Sequence, residues 1–517
     1  MSKRPTPPSG RDPIVIVGTG FAGLAMAIRL KQSGIDDFIV LEQAGGVGGT
    51  WRDNHYPGAA CDVQSHLYSF SFEPNPKWSR MYAPQKEILD YLEHCTDKYG
   101  IRPHIRFRCG VKGATFDEQS GTWSIETTSG ETLHARVIVS GCGGLSRPSV
   151  PELPGLEEFQ GKSFHTARWD HSFDFSGKRV AVIGTGASAI QVVPELAPKA
   201  ASLRVFQRTA PWIMPKPDRM ITPREQALFA RFPFLQTLAR LGIYWRNELF
   251  ATGFIYETRI LKLAEKLALK YLHKRVPNEA LRQKLTPHYA MGCKRVLISN
   301  DYFEAVSRSN VDVVTAGIDR VTEKGIRTRD GVEHEFDAIV LATGFQAAEA
   351  CAPFALRGRG GRDLNTEWRN GAEAFLGSTV TGFPNLFMIV GPNTGLGHTS
   401  MVFMIESQVQ YALSAIETMR ARDLKAVEVK RGAQSRYNER LHSRLGGTVW
   451  ASGCNSWYQT SSGKNTTLWP GYTFEFRLRT RTFDPRDYEV EAKGATSDEL
   501  PAPRDPLAHV APATDVA

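Results

Sequence analysis

Ile14-Val-Ile-Val17-Gly18-Thr19-Gly20-Phe21-Ala22-Gly23 decides the fold. Four apolar, β-branched residues read as a buried parallel strand. Glycines at Gly-x-Gly-x-x-Gly spacing follow, and a helical pattern then runs through Leu24, Ala27, Ile28 and Leu30. A second strand, Phe38-Ile-Val-Leu41, ends in Glu42, which falls about 20 residues beyond the glycines, where a ribose-binding acid is expected. Strand, glycine turn, helix and acid together form a dinucleotide fingerprint. Gly18 permits the tight turn, Gly20 lets backbone approach a pyrophosphate beside Ala22, and Gly23 allows close helix–strand packing. The helix N-terminus offers unpaired N–H groups to the anion.

The same grammar returns at Val180-Ala-Val-Ile183, Gly184-Thr185-Gly186-Ala187-Ser188-Ala189 and an apolar helix to Leu196. Its second strand, Leu203-Arg-Val-Phe206, ends differently, in Gln207-Arg208-Thr209 with no carboxylate. An acid there would repel a 2′-phosphate. Arg208 can pair with one bidentately, and Thr209 adds a donor, so NADPH is expected in preference to NADH. Two such units in one chain imply two nucleotides, one able to take hydride from the other. The fold class is α/β, with two Rossmann-like dinucleotide-binding domains and a helical insertion in the second.

Composition fits this reading. The chain has 517 residues, 41% hydrophobic and 23% charged, with a net charge of +9. That is an ordinary globular profile, and no dense basic block interleaved with aromatics points to nucleic acid. Seven scattered cysteines with no Cys-x-x-Cys pair argue against a zinc site, a disulfide framework and a dithiol reductase, and favour a reducing cytoplasm. No stretch reaches the length of a membrane span.

Two further stretches carry a resemblance. Phe159-Gln-Gly161-Lys-Ser-Phe-His165-Thr-Ala-Arg-Trp169-Asp170 reads Phe-x-Gly-x-x-x-His-x-x-x-Trp-Asp and lies between the two fingerprints. Gly48-Gly49-Thr50-Trp51-Arg52-Asp53 runs on to Tyr56-Pro57-Gly58 and Asp62. Both resemble signatures of the type I Baeyer–Villiger monooxygenases, flavoenzymes that insert oxygen beside a ketone. The resemblance extends from about Ile14 to Trp457 and implies FAD in the first domain and NADPH in the second. It implies FAD contacts from Thr50, Trp51, Arg52, Asp53, Asp62 and Tyr68, and assigns Lys294 to the 2′-phosphate. Arg295 is implied to be catalytic, stabilising a C4a-peroxyflavin, with Asp62 as its ionic partner because a buried carboxylate needs one. Cys454-Asn-Ser-Trp457-Tyr458 resembles an element that packs near the nicotinamide. A helix starting near Thr399 and holding Met401 could direct its positive end at the flavin. His165 is given a conformational role.

The resulting division is 13–150 and 345–485 for the FAD domain, 151–214 and 292–344 for the NADPH domain, and 215–291 for the helical insertion. Residues 486–517 are expected to be a disordered tail. In the insertion, Leu235, Leu238, Ala239 and Leu241, then Ile260, Leu261, Leu263, Ala264 and Leu267, recur at helical spacing among basic residues. A membrane-surface helix would look like this, as would amphipathic packing; packing on the NADPH domain, with no membrane partner, is the expectation. The expected reactants are a small-molecule ketone and O2, giving an ester or lactone, and the expected protein is a monomer or weak homo-oligomer. The competing classes are an N- or S-oxygenating flavin monooxygenase, a flavin disulfide reductase and a nucleotide-sensing flavoprotein.

Overall fold

A computed structural model describes residues 13–256, 259–346, 354–454 and 456–492. The chain opens with β1 (Ile14–Val17), α1 (Phe21–Gln32), β2 (Phe38–Leu41) and a single turn, α2 (Thr50–Asp53). Next come α3 (Gln85–Lys98), β3 (Ile105–Arg106), β4 (Val111–Asp117), β5 (Thr122–Thr127), β6 (Thr132–Ala135) and β7 (Val137–Ser140). The second unit begins with β8 (Lys162–His165), β9 (Arg179–Ile183), α4 (Ala187–Leu196), β10 (Ser202–Phe206) and β11 (Ile213–Met214). Four helices follow: α5 (Pro223–Arg231), α6 (Pro233–Tyr256), α7 (Arg259–Arg275) and α8 (Glu279–Leu285). The second unit resumes with β12 (Leu297–Ile298), α9 (Tyr302–Val306), β13 (Val311–Val314), β14 (Ile318–Thr322), β15 (Gly325–Thr328), β16 (Glu333–Glu335) and β17 (Ala338–Leu341). The chain then closes the first unit with β18 (Ala355–Arg357), α10 (Leu364–Glu367), β19 (Leu386–Met388), α11 (Met401–Ala421), β20 (Leu424–Val429), α12 (Arg431–Gly446), α13 (Thr473–Arg479) and β21 (Tyr488–Ala492).

Two parallel five-stranded sheets result, in the orders β19-β7-β1-β2-β3 and β13-β10-β9-β17-β8. In each, the strand that enters the glycine turn lies inside the sheet, so its turn opens at the carboxyl edge, where such sheets bind ligands. The glycines are needed there. Gly18 has φ +99°, and a Cβ on it would lie 2.8 Å from the Gly141 carbonyl oxygen. A Cβ on Gly23 would collide with the Gly18 carbonyl, while one on Gly186 would meet nothing within 4 Å. Gly186 thus borders open space at the head of α4.

The linker motif is the seam between the units. Upstream of it the outgoing and returning chains pair: Ser149 N–H donates to Gly344 O at 2.8 Å, and Gln346 N–H to Arg147 O at 3.0 Å. His165 ends β8, is buried, accepts from Ala167 N–H at 3.1 Å and meets the Phe345 ring edge-on. Trp169 is buried, stacked on Phe175 and edge-on to Phe164. The motif's aromatics therefore serve the second unit's core, and its His faces the hinge.

Three expectations are corrected. First, the insertion does not pack on the second unit alone. Leu272, Val276 and Leu285 join that core, but α6 lies along the first unit, where Tyr244 stacks on Phe403 at 4.9 Å. Of the apolar residues at helical spacing, Leu261 is buried, whereas Leu238, Leu241, Ile260, Leu263 and Leu267 are exposed. Second, residues 486–492 belong to the fold, because β21 pairs antiparallel with β20 as far as Ala492; residues 493–517 and 1–12 lie outside the described residues. Third, the cysteines are not all isolated: Cys293 and Cys454 form a disulfide with Cα atoms 6.2 Å apart. Scattered spacing conceals a pair that the fold brings together across 161 residues. Among the described residues, no helix is long and apolar enough to cross a membrane.

Candidate active site

The two units meet through the loop after α2. Tyr56 OH donates to Gln191 Oε1 of α4 at 2.8 Å, and Gln191 Nε2 donates to Ala60 O at 2.9 Å. Asp62 follows directly. It leaves this docked loop toward Arg295, which precedes β12, and β12 is pinned by pairing with β11.

Asp62 Oδ2 accepts from Arg295 Nε at 2.8 Å and from Nη2 at 2.6 Å. The third nitrogen, Nη1, donates to the Leu396 carbonyl at 3.3 Å. The guanidinium is thus held on all three nitrogens, with both partners of the ion pair less than one-third exposed. Asp62 raises the Arg295 pKa further above its usual value, so the charge is permanent. Tyr458 is buried beside it, its phenol pushed up to about 12 by burial against the opposing pull of Arg295.

The loop that carries Leu396 and the segment hydrogen-bonded to it hold buried polar atoms with no protein hydrogen-bond partner: Asn393 Oδ1, His398 Nδ1, Thr399 Oγ1, Tyr458 OH and Thr466 Oγ1. Buried polar groups are ordinarily satisfied, so these atoms suit a polar ligand. The helix heads fit one too. Gly20 and Gly186 are the N-caps of α1 and α4, and neither helix has a side-chain cap. Two anionic groups can therefore receive free backbone N–H donors.

Thr50 to Asp53 form α2. Trp51 Nε1 donates to Tyr68 OH at 3.1 Å, and Arg52 grips Asp53 through Nε at 2.7 Å and Nη2 at 3.0 Å. Glu42 is already satisfied: it accepts from Thr19 N and Oγ1 and from Ala44 N, and pairs with Arg52 at 3.1 Å. A ribose hydroxyl there would take the place of one of these donors. In the second unit, Thr185 Oγ1 donates to Thr209 O at 3.0 Å. Lys294 lies against the Tyr289 ring, and its pKa is lowered by burial first and then by Arg208. A cation lowered by a second cation beside it suits an anion between the two. Met401 begins α11, whose N-cap Ser400 accepts from Val402 N–H. Trp457 is about half exposed, its ring 4.4 Å from that of Tyr458.

The sequence reading missed two groups. His398 and Glu248 form a fully buried pair, Nε2 to Oε1 3.3 Å, and Glu248 also accepts from Thr473 N and Oγ1. His398 closes the loop whose Leu396 carbonyl holds Arg295. A single carboxylate in the mostly apolar helix α6 was the available signal. Lys216 is mostly buried over the Tyr82 ring, and it feels Asp218, Cys61 and Asp62; Met-Pro-Lys-Pro gave no hint of this.

Comparison with known proteins gives the family. The family model described as pyridine nucleotide-disulphide oxidoreductase matches residues 15–232, a span that ends before either bridged cysteine. A Baeyer–Villiger monooxygenase of Pseudomonas aeruginosa is 50% identical over 493 residues, covering 95% of this chain and 94% of the relative. One of Streptomyces coelicolor is 47% identical, covering 92% of each. Among solved structures, an oxidized steroid monooxygenase bound to NADP superposes with TM-score 0.83 at 32% identity, over 93% of this chain and all of the other. The closed form of cyclohexanone monooxygenase gives 0.84 at 29%, over 94% and 100%. An OTEMO complex with FAD and NADP gives 0.85 at 28%, over 93% and 100%. With a glycine turn in each of two parallel sheets, and 50% and 47% identity to two such enzymes over more than nine-tenths of the chain, the chain belongs to the Baeyer–Villiger monooxygenase family.

Proposed function

We propose that the enzyme converts a ketone to an ester or lactone with Arg295 as the catalytic cation and Asp62 as the group that orients it. The observation that carries this reading is the three-point hold on the Arg295 guanidinium by Asp62 and the Leu396 carbonyl. FAD would lie along Gly18, Gly20, Ala22 and Gly23, with Glu42, α2, Asp62, Tyr68 and Met401 around it. NADPH would lie along Gly184 to Ala189, with Arg208, Thr209 and Lys294 on its 2′-phosphate and Trp457 near its nicotinamide. When bound, the two cofactors supply the electrons that activate O2 for insertion. We assign 13–150 and 345–485 to the FAD domain, and 151–214 and 292–344 to the NADPH domain, with 215–291 inserted.

Oxygen insertion places negative charge on the ketone oxygen. Arg295 is fixed before the charge appears, so no reorganisation is needed when it does, and such a donor contributes on the order of 3 kcal/mol. Asp62 keeps the guanidinium aimed and offsets part of the cost of holding a cation away from water. The docking of the Tyr56–Asp62 loop on α4 helps exclude water from the junction. We infer a cytoplasmic location, beside the NADPH supply, with the Cys293–Cys454 bridge as an exception to the reduced thiols usual there. The test is a panel of cyclic, linear and aryl ketones, with ester quantified against NADPH consumed. Ester in proportion to NADPH for at least one class is expected; NADPH oxidation without oxygenated product from any ketone would overturn the reading.

A further inference from the structure

Helix α6 is amphipathic with its faces reversed. Its inward side chains are largely polar. Gln236 donates to Asn75 O at 2.7 Å, Arg240 to His66 O at 2.7 Å and to Ser69 O at 3.0 Å, and Asn247 to Gln64 at 3.3 Å, while Glu248 holds Thr473. Most outward side chains are apolar, Thr237 and Arg246 apart. Phe234, Leu238, Leu241, Trp245 and Leu249 recur at spacings of three and four, and each is between 46% and 71% exposed. A surface helix ordinarily turns such a stripe toward the core. Here the core side presents carbonyl oxygens and the Thr473 donors, which need polar partners on the helix, so the stripe faces out.

The stripe continues onto neighbouring elements. Trp245 meets Phe474 of α13 with ring centroids 6.0 Å apart, and Tyr256 meets Tyr472 at 6.4 Å. At Gly253 the helix abuts α7, where a Cβ would lie 3.6 Å from Ile260. On α7, Ile260, Leu263 and Leu267 are 44% to 60% exposed. They alternate with Arg259, Lys262, Lys266, Lys270, Lys274 and Arg275, all exposed. Among the described residues none of these six forms a salt bridge. Contiguous exposed apolar surface of this kind marks an interaction site.

We propose that the outer face of α6 and α7 seats the enzyme on an anionic phospholipid surface. The charge pattern selects this occupant. A second copy on the same face would oppose one row of cations to another, since a two-fold interface places each patch against itself. A bilayer with anionic headgroups instead pairs with every cation while its acyl boundary receives the apolar stripe. Trp245, Tyr256 and Tyr472 are the residue types that settle at that boundary. The same helix supports His398 from within through Glu248, so the seat lies directly outside the proposed catalytic junction.

The test is sedimentation of the full-length holoenzyme with vesicles of phosphatidylcholine alone, or with about one-third phosphatidylglycerol replacing it. Pelleting with the anionic vesicles, weakened by salt, is expected. Lys262→Ala/Lys266→Ala/Lys270→Ala together should lower partitioning about a hundredfold, since each cation near the surface contributes about fivefold. Leu249→Gln should lower it about tenfold. Both variants change exposed side chains, and unchanged FAD content and circular dichroism would show that each is folded. No pelleting with either vesicle would overturn the proposal, as would equal binding by the triple-alanine variant. So would a dimer that Leu249→Gln dissociates while vesicles leave the protein in solution.

Discussion

Cys293 is bonded to Cys454, which ties the segment carrying Lys294 and Arg295 to the segment carrying Trp457 and Tyr458. One covalent link therefore couples the proposed catalytic cation to the residues expected beside the nicotinamide. Their relative position is fixed by chemistry as well as by packing.

The bridge predicts a thiol count. The denatured, unreduced chain should titrate two thiols fewer than the same chain after reduction, when all seven cysteines react. Cys454→Ser should lower thermal stability, since closing a long loop contributes about 2 to 4 kcal/mol. It should also raise the Kd for NADPH, because the Trp457 segment is released. Seven thiols without reductant would contradict the link.

The facing of Arg208 and Lys294 predicts cofactor choice. Burial and then Arg208 lower the pKa of Lys294, and a 2′-phosphate would provide the anion that relieves the repulsion. Arg208→Ala should raise the KM for NADPH by about tenfold to a hundredfold, the loss of a charged hydrogen bond, and leave the KM for NADH nearly unchanged. An equal rise for both would show that the cation touches something other than the phosphate.

His66 predicts a pH dependence of stability. It is buried, takes a contact from Gln236 at 3.1 Å, and burial pushes its pKa down to about 4. The unfolded chain binds that proton near pH 6.5, so the folded state is favoured in full above this value. Stability then falls as pH drops from about 6.5 to about 4, by about 2 kcal/mol at pH 5. Thermal unfolding measured from pH 8 to pH 5 should show this loss, and His66→Asn should remove that part of the slope. An unchanged slope in the variant would assign the loss to other groups.

What was legible in the sequence was local. The glycine turns, their flanking strands and the Gln207-Arg208-Thr209 ending each sit within one supersecondary unit, and spacing alone places them. Arg295 and Asp62 are 233 residues apart; only family resemblance joined them, since no local pattern records a contact across two units. Periodicity found helices α6 and α7 but not which face turns inward. That depended on the polar demands of Asn75, His66, Ser69 and Thr473, which lie elsewhere in the chain. Cys293 and Cys454 were passed over for the same reason.

The central claim is that Arg295 serves oxygen insertion and not hydride transfer, because its charge is aimed and fixed by Asp62 at 2.6 Å. The most direct measurement is ester formed per NADPH consumed by Arg295→Ala, alongside the rate at which NADPH reduces the bound flavin. Flavin reduction should stay near the wild-type rate, while ester per NADPH falls at least a hundredfold, as the loss of about 3 kcal/mol implies. A variant that still forms ester within about tenfold of wild type, a difference of only ~1.4 kcal/mol, would contradict it.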